Sequence, residues 1–486
     1  MISFFIALAL LVGGYCLYGR FVERVIRADA SQPTPARTMA DGVDYVELPT
    51  WKIYLIQFLN ISGLGPIFGA IMGVMYGPVA FYWIVFGTIF GGAVHDYLSG
   101  MVSLRSGGAS LPEIVGDHLG RGVKHSMRVL SMLLMLMIGA VFVYNPADLL
   151  AELTPDWLGR NFWIVVIFVY YILATMLPID KVIGRLYPVF GVALLFMAVG
   201  VMVMCIVHGA DMPEMWSEMY NHQPDTERLP VFPMVFMSIS CGAFSGFHAT
   251  QSPLMARCLK SEKDGRVAFY GAMVTEGVVA LIWAAAAITY TRGYAGLHEA
   301  MQTHSPATFV NMLTQDWLGR LGGILAVMGV IAAPISTGDT ALRSARLIAA
   351  DIMHLEQRTI TKRLMVTVPL FAITAWLMLS PFEVIWRYVS FFNQLLSVFT
   401  MWAMTVWLRR NGMNYRISIF WAMFFSAVCT SYILYAPEGI TFITQRYWGV
   451  PVDYTFSVVC GVAVAALSAL VFVRWDRKLP KTPANR

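Results

Sequence analysis

Charged residues are scarce in this sequence, and its cysteines form no recognisable pattern. Only 13% of the 486 residues are Asp, Glu, Lys or Arg, whereas 58% are hydrophobic. Soluble globular proteins carry about 25% charged residues, so this composition excludes an ordinary soluble domain and indicates a protein whose solvent is lipid. The six cysteines show no Cys-x-x-Cys spacing, which predicts neither a disulfide framework nor a metal site.

Other absences exclude further function classes. The net charge is only +5 and no stripe of basic and aromatic residues occurs, so we expect no nucleic-acid partner. A membrane-embedded enzyme would need a nucleophile–base or metal constellation, and the one adjacent pair, His95 and Asp96, lacks a third partner in sequence. We therefore expect neither enzyme activity nor a cofactor. The N-terminus lacks the features of a cleaved signal peptide, so residues 1–19 are predicted to form an extra transmembrane helix.

Long apolar runs dominate what is present. They cover residues 2–19, 53–75, 78–102, 128–147, 161–178, 187–208, 232–256, 267–290, 320–342, 364–380, 382–408, 417–435 and 455–474. Backbone groups cannot stay unpaired in hydrocarbon, so these runs must form helices or a closed barrel. Barrel strands alternate in polarity over about ten residues, and these runs do not. The sequence predicts an all-α polytopic membrane protein with about 13 transmembrane helices.

The distribution of basic residues predicts the orientation. If the N-terminus lies outside, 28 of the 34 Lys and Arg residues fall on the cytoplasmic side. An excess of Lys and Arg in cytoplasmic loops is the general rule for membrane proteins. We therefore expect an outer N-terminus and a cytoplasmic C-terminus.

Two of the predicted helices carry glycine and proline near their centres. Helix 2 contains NISGLGPIFGA and helix 7 contains CGAFSGFHATQSP. Unwound helix segments expose N–H groups that attract carboxylates and carbonyls that attract cations. The alternative is that the glycines only allow close helix packing. We predict that these breaks bind a substrate through Asn60, Ser62, Gly63, Gly65, Pro66, Gly242, Ser245, Gly246, Phe247, His248 and Gln251.

The two breaks stand at corresponding places in two halves of the chain. Helices 2–6 form a first half over residues 50–208, and helices 7–11 form a second half over residues 232–409. Five helices reverse the side from which the chain enters, so the repeat is inverted, and paired broken helices in such repeats indicate a transporter binding site. Residues 1–19 precede the repeats, and two C-terminal helices over residues 416–475 follow them.

Ionisable residues within the apolar runs are candidates for ion coupling, because buried charge in a membrane is costly and usually functional. Glu276 lies near the middle of helix 8 and could take up and release protons. Asp339, with Ser336 and Thr337, forms an oxygen-rich group suited to Na⁺ or to a proton relay. The alternatives are a structural hydrogen bond for Glu276 and an ion pair with Arg343 for Asp339.

The remaining polar residues within the runs have two interpretations each. Asp96, in helix 3, has either a coupling role or a structural partner, and His248 is either a carboxylate ligand or a satisfied core histidine. His95, Asn393 and Gln394 are predicted to hydrogen-bond between helices.

Several segments together resemble the carbon starvation protein A (CstA) family. They include GLGPIFGAIMGVMYGP, GGAVHDYLSGMVSLRSGGASLPEIVGDHLG, VFPMVFMSISCGAFSGFHATQSP, STGDTALRSARLIAADIM and FFNQLLS, and they occur in the family's order over most of residues 50–400. The resemblance implies a multi-pass transporter of the bacterial inner membrane with a LeuT-like five-plus-five inverted repeat. Members are described as peptide transporters and as proton-coupled pyruvate transporters.

The resemblance extends to individual positions and has one relevant departure. The family's motifs match Gly63, Gly65 and Pro66, Asp96, Gly242 and Ser245 to His248, Glu276, Asp339, Asn393 and Gln394. The segment ATQSP after His248 replaces a longer Ser/Thr/Gly-rich run. We expect a symporter that imports a small carboxylate, pyruvate first, with protons. The alternatives are an H⁺- or Na⁺-coupled carrier for short peptides or amino acids, and a membrane nutrient sensor.

Overall fold

The fold is built from helices, as the sequence predicts. The computed structural model describes residues 1–176, 183–209, 212–326, 329, 331–357, 359–380 and 382–478. Within these residues the regular structure is helical and no strand occurs, which confirms the all-α class. The end of the predicted run 161–178 and part of the run 320–342 lie outside the described residues.

Thirteen helices are numbered here in chain order, and two of them are divided. They are α1 (Ile2–Ile26), α2 in two halves (Thr50–Ser62 and Gly65–Val74), α3 (Val79–Arg105), α4 (Arg121–Leu153), α5 (Arg160–Met176), α6 (Ile183–Val207), α7 in two halves (Val231–Ser238 and His248–Ala256), α8 (Glu262–Tyr290), α9 (Ala332–Met353), α10 (Ile360–Leu377), α11 (Phe382–Arg410), α12 (Arg416–Tyr435) and α13 (Tyr454–Asp476). Shorter helices connect them, among them Leu111–Leu119 and Tyr294–Thr303.

Not every numbered helix is long enough by itself to cross a membrane. Among the described residues nine helices are long and apolar enough, and the two halves of α2 together make a tenth. The described part of α5 has 17 residues and stops where the described residues are interrupted, so it is not among these ten. The run predicted as one helix over 320–342 begins in a separate helix, Pro306–Ala326, and continues in α9. The count of about 13 transmembrane helices and the division into inverted repeats stay predictions.

The break in α2 is produced by one glycine and one proline. Gly63 has φ +46 and ψ −129, a conformation that residues with a Cβ rarely adopt. Pro66 lies in the first turn of the second half, where its missing N–H costs no helical hydrogen bond. The two halves are bent by 54° relative to each other.

The break in α7 is longer and lies directly against the break in α2. Residues 239–247 separate its two halves, and Gly242 within them has φ +94. A Cβ added at Gly65 would lie 2.0 Å from the Cβ of Cys241. A Cβ on Gly69 would lie 2.9 Å from the carbonyl oxygen of Ser238. Glycine in α2 therefore allows the two interrupted helices to cross in backbone contact.

A buried ion cluster joins the segment before α2 to one end of α9. Asp44 is 3% exposed, and its carboxylate lies 3.5 Å from guanidinium nitrogens of both Arg343 and Arg346, which are fully buried. Arg346 also donates to the side-chain oxygen of Gln357 at 3.0 Å. This ion cluster therefore holds the segment before α2 against α9, on the face predicted to be cytoplasmic.

We predict that Asp44→Asn destabilises the protein. The variant keeps the size of the side chain but leaves the guanidinium groups without their carboxylate, and breaking a buried ion pair costs about 3–5 kcal/mol. Its melting temperature in detergent should fall below that of the wild type. The control is Asp117→Asn, which changes an exposed carboxylate on the helix Leu111–Leu119. Equal melting temperatures for the two variants would contradict the structural role of Asp44.

Candidate functional site

A small cavity lies where the two interrupted helices cross. Its volume is about 40 Å³, and its wall is formed by both breaks together with α4, α9 and α11. The polar part of the wall consists of Ser62, Ser238, Ser240, Thr337, Ser390 and Asn393, and the apolar part includes Ile61, Ile138, Phe142, Phe247, Trp386 and Val389. No Lys, Arg, Asp or Glu is among the described residues that line it.

Two amides of α11 occupy backbone groups of the α7 break. The Asn393 side-chain oxygen accepts from the backbone N–H of Phe247 at 2.6 Å and from the Ser245 hydroxyl at 3.0 Å. The Gln394 amide donates to the carbonyls of Phe236 and Phe244, at 2.8 and 3.0 Å. Asn393 and Gln394 thus bond from α11 to α7. Three of their partners belong to the break, and the carbonyl of Phe236 belongs to the first half of α7.

Two side chains of α3 donate hydrogen bonds to further carbonyls of the same break. The Trp83 indole donates to the carbonyl of Ile239 at 3.0 Å, and the Thr88 hydroxyl donates to the carbonyl of Gly242 at 3.1 Å. Because a buried backbone group without a partner is costly, these side chains stabilise the open conformation of α7. They leave fewer free backbone groups at this break than its glycines alone would predict.

Four ionisable side chains form a continuous chain behind the cavity. Asp96 accepts a hydrogen bond on each carboxylate oxygen, since one oxygen lies 2.8 Å from Nδ1 of His95 and the other 2.9 Å from Nδ1 of His248. Nε2 of His248 lies 3.5 Å from Oε2 of Glu276. All four side chains are fully buried. The chain connects α3, the second half of α7 and α8, and we call it the His–Asp–His–Glu chain.

The same region contains the one group of described residues that is close enough to share a metal ion. Ligand atoms of Cys241, His248 and Glu276 all lie within 4.8 Å of one another. Three ligands are one fewer than a structural zinc site uses. The sequence predicts no metal site, and that expectation stays a prediction.

Asp339 belongs to a second polar group, on α9. The Tyr187 hydroxyl of α6 donates to the Asp339 carboxylate and also to the carbonyl of Ser336. The Thr337 hydroxyl donates to the carbonyl of Leu59 at 3.1 Å, just before the break in α2. Arg343, considered from sequence as a partner of Asp339, donates to the carbonyl of Ala174 and lies near Asp44.

Only part of the predicted substrate site lines the cavity. Ser62, Gly65 and Phe247 do, and so do Thr337 and Asn393, for which other roles were predicted. The predicted residues that lie outside its wall are Asn60, Gly63, Pro66, Gly242, Ser245, Gly246, His248 and Gln251.

Two of these outlying residues were expected to face the substrate and instead bond elsewhere. The nitrogens of His248 are directed at Asp96 and Glu276. The Gln251 amide donates to the Thr250 hydroxyl and to the sulfur of Met135 on α4. Gly246 packs against α11, where an added Cβ would lie 2.2 Å from the carbonyl oxygen of Asn393.

Sequence reasoning missed several residues of the wall. Trp386, Val389 and Ser390 precede Asn393 on α11 by seven, four and three residues, which is the spacing of one helix face. That spacing could have identified them once Asn393 was singled out. Ser238 and Ser240 precede the glycines of the α7 break, and no pattern in the sequence distinguishes them.

Comparison with protein families identifies relatives of the whole N-terminal two thirds. The sequence profile of the family described as carbon starvation protein CstA matches residues 1–157 and 150–319. An uncharacterized membrane protein of Haemophilus influenzae is 42% identical over 349 residues, covering 62% of this chain and 94% of that protein. The peptide transporter CstA of Bacillus subtilis is 28% identical over 343 residues, and the match spans 58% of this chain and 57% of that transporter.

Solved structures show a related fold at low sequence identity. A Na⁺-coupled sialic acid symporter superposes with a TM-score of 0.53 at 16% identity, covering 97% of both chains. MhsT in complex with L-phenylalanine superposes with a TM-score of 0.55 at 14% identity, covering 88% of this chain and 98% of that one. These likenesses confirm the predicted LeuT-like fold.

We predict that Asn393→Ala loosens the break in α7. The variant removes the acceptor for the N–H of Phe247, and a buried donor left without a partner costs about 1–3 kcal/mol. The melting temperature should fall, and hydrogen exchange at residues 243–247 should accelerate. Asn411→Ala, at an exposed position just after α11, serves as the control. Unchanged exchange in Asn393→Ala would show that Asn393 does not hold the break.

Proposed function

Because the chain belongs to the carbon starvation protein CstA family, we propose that it is a secondary transporter that imports a small carboxylate, pyruvate first, together with protons. It would act in the bacterial inner membrane, with its N-terminus outside. The observation that carries this proposal is the position of the cavity, which lies between two interrupted helices and beside the His–Asp–His–Glu chain. Family relatives named as transporters, and a fold shared with a symporter, support it.

The size and lining of the cavity favour a small substrate. Its volume of about 40 Å³ holds only a few water-sized molecules, since one water needs roughly 10–15 Å³ by this measure. Hydroxyl groups of Ser62 and Ser240 and the amide of Asn393 offer hydrogen bonds to a carboxylate and a keto group, whereas the Ser238 hydroxyl donates to the carbonyl of Met234. The second half of α2 begins at Gly65 on the cavity wall, and a helix N-terminus attracts anions.

The short-peptide alternative rests on the names of the relatives. Several of them, including the Bacillus subtilis protein, are named peptide transporters. A dipeptide would need a much larger cavity than the one between the breaks, so α2 and α7 would have to separate to admit it. The sensor alternative predicts binding without movement of the ligand across the membrane.

The His–Asp–His–Glu chain provides a route for coupling. A proton on Glu276 can pass to Nε2 of His248, which converts the carboxylic acid into a carboxylate and the imidazole into an imidazolium. Asp96 accepts the hydrogen bond of the other ring nitrogen and so stabilises the imidazolium. Because His248 is the first residue of the second half of α7, its charge state acts directly on the break that borders the cavity.

The group around Asp339 is a second candidate for ion coupling. The carboxylate of Asp339 lies with the carbonyl of Ser336 at the Tyr187 hydroxyl, and the hydroxyl of Thr337 on the same helix contacts the carbonyl of Leu59 beside the break in α2. Oxygen ligands of this kind suit Na⁺. Transport should therefore be measured with and without Na⁺ in order to separate the two ions.

We predict proton-driven uptake of pyruvate. Purified protein in liposomes should accumulate labelled pyruvate when the external pH is lower than the internal pH, because each imported proton releases the free energy of the gradient. Collapse of the gradient with a protonophore should abolish accumulation. If neither pyruvate nor dipeptides are taken up under a proton or a Na⁺ gradient, the transporter proposal fails.

We predict that Glu276→Gln separates coupling from transport. Glutamine keeps the size of the side chain but cannot carry the proton, so gradient-driven accumulation should be lost while exchange of pyruvate across the membrane persists. The control is Glu299→Gln, an exposed position on the helix Tyr294–Thr303, which should behave like the wild type. Unchanged proton dependence in Glu276→Gln would remove Glu276 from the coupling role.

A further inference from the structure

Three side chains of different chemistry form a compact group beside the cavity between the breaks. They are Cys241, His248 and Glu276, and we call them the Cys–His–Glu group. Nε2 of His248 lies 3.5 Å from Oε2 of Glu276, and the ligand atoms of all three lie within 4.8 Å of one another. Atoms that bind one tetrahedral ion at about 2.0–2.3 Å lie roughly 3.4 Å apart. Small side-chain movements would therefore bring all three atoms onto one ion.

Two members of the group present atoms that lack hydrogen-bond partners. Neither carboxylate oxygen of Glu276 has a hydrogen-bond partner among the described residues, and Nε2 of His248 has none either. Both side chains are fully buried. Because a buried polar atom without a hydrogen bond is costly, a cation bound between these atoms would remove an unfavourable feature of the fold.

Asp96 holds His248 in the orientation that a metal ligand needs. One carboxylate oxygen of Asp96 lies 2.9 Å from Nδ1 of His248, so the neutral ring keeps its proton on Nδ1 and directs the lone pair of Nε2 towards Glu276. Histidines that bind metals almost always donate their other N–H to a carboxylate, a carbonyl or a water. The same hydrogen bond therefore fixes both the ring and the nitrogen that would bind the metal.

Cys241 connects the group to the cavity. It lies in the α7 break, is only partly buried and belongs to the cavity wall, whereas His248 and Glu276 lie behind that wall. A Cβ added at Gly65 would lie 2.7 Å from the sulfur of Cys241, so glycine in α2 leaves the space that the sulfur occupies. An ion that enters from the cavity meets the thiol first and keeps one open position towards the cavity. Zinc sites that exchange a bound water or substrate have three protein ligands and such an open position.

We propose that Cys241, His248 and Glu276 bind a divalent metal ion of the zinc class, with a fourth ligand from the cavity. The thiolate and the imidazole favour Zn²⁺ over Mg²⁺, Ca²⁺ and Mn²⁺, which prefer oxygen ligands. The thiol releases its proton to solvent as the metal–sulfur bond forms. The sequence predicts no metal site, because Glu276 lies on a different helix from the other two ligands and far from them along the chain.

The test uses Co²⁺ as a probe of the purified full-length protein after removal of its purification tag. Tetrahedral Co²⁺ absorbs strongly in the visible range, and a bond from Co²⁺ to a thiolate adds a charge-transfer band in the near ultraviolet. The wild type should bind one Co²⁺ with both features. Zn²⁺ should displace the Co²⁺, because nitrogen, oxygen and sulfur sites generally bind Zn²⁺ more tightly. Absence of the charge-transfer band, or failure of Zn²⁺ to displace Co²⁺, would overturn the proposal.

Variants assign the ligands. Cys241→Ser should lose the charge-transfer band, and Glu276→Gln and His248→Gln should each weaken binding by about tenfold or more. Asp96→Asn should keep the band at saturating Co²⁺ but bind about 10–100-fold more weakly, because Asp96 orients His248 without contacting the metal. The control is Cys460→Ser, which changes a partly buried cysteine of α13 and should match the wild type.

Folding and binding are measured separately for each variant. Melting temperatures without metal show which variants are folded, and Cys241→Ala replaces Cys241→Ser if the hydroxyl is not tolerated. A charge-transfer band that persists in a folded Cys241 variant, or wild-type affinity in both Glu276→Gln and His248→Gln, would place the metal elsewhere on the protein.

Inhibition of transport by Zn²⁺ is a consequence that rests on the proposed function. The ion would occupy Nε2 of His248 and the carboxylate of Glu276, between which the proton passes. Zn²⁺ should therefore inhibit proton-driven uptake in liposomes, and half-inhibition should need about tenfold more Zn²⁺ in Cys241→Ser. The two proposals fail separately. Uptake without Co²⁺ binding would overturn the metal site alone, and Co²⁺ binding without uptake of any tested solute would overturn the transporter alone.

Discussion

The rest of this structure depends on one constraint, which is that backbone groups freed inside a membrane must find partners within the protein. The α7 break separates the two halves of the helix by nine residues, and most of their backbone groups are outside helical hydrogen bonding. Side chains of α3 and α11 donate to three of its carbonyls and accept from one of its N–H groups. The open conformation of the break therefore depends on polar side chains of α3 and α11, which supply the hydrogen bonds that the helix no longer makes.

The close contact between α2 and α7 also links the movements of the two helices. Gly65 and Gly69 bring α2 so close to Cys241 and Ser238 of α7 that no side chain could fit between them. Neither interrupted helix can shift without displacing the other, because protein interiors are close-packed. A change at His248, where the second half of α7 begins, is thereby transmitted to the cavity wall that both helices share.

The sequence predicted the helical class, both breaks and the buried ionisable residues of the apolar runs, among them Asp96, Glu276 and Asp339, because each has a local signal. Glycine and proline interrupt an apolar run, and a carboxylate within such a run is conspicuous. Pairing across helices has no local signal. Asp96 and His248 are 152 positions apart, and Asp44, in a polar loop, gave no indication that it would approach Arg343. His248 was consequently expected at the substrate, although its ring is held between Asp96 and Glu276.

If the cavity holds the substrate carboxylate that we propose, the distribution of charge explains why neutral groups line it. Had a guanidinium or an ammonium bound the substrate carboxylate directly, release would require separation of a buried ion pair, which is costly. Hydroxyls, an amide and a helix N-terminus bind an anion more weakly and leave it free to depart. The ionisable groups stand one layer behind, at His248 and Glu276, where a proton can alter the field at the α7 break without contacting the substrate. In this arrangement the groups that would bind the substrate differ from the groups that would take up the proton. A carrier that must both hold and release its substrate requires such a division.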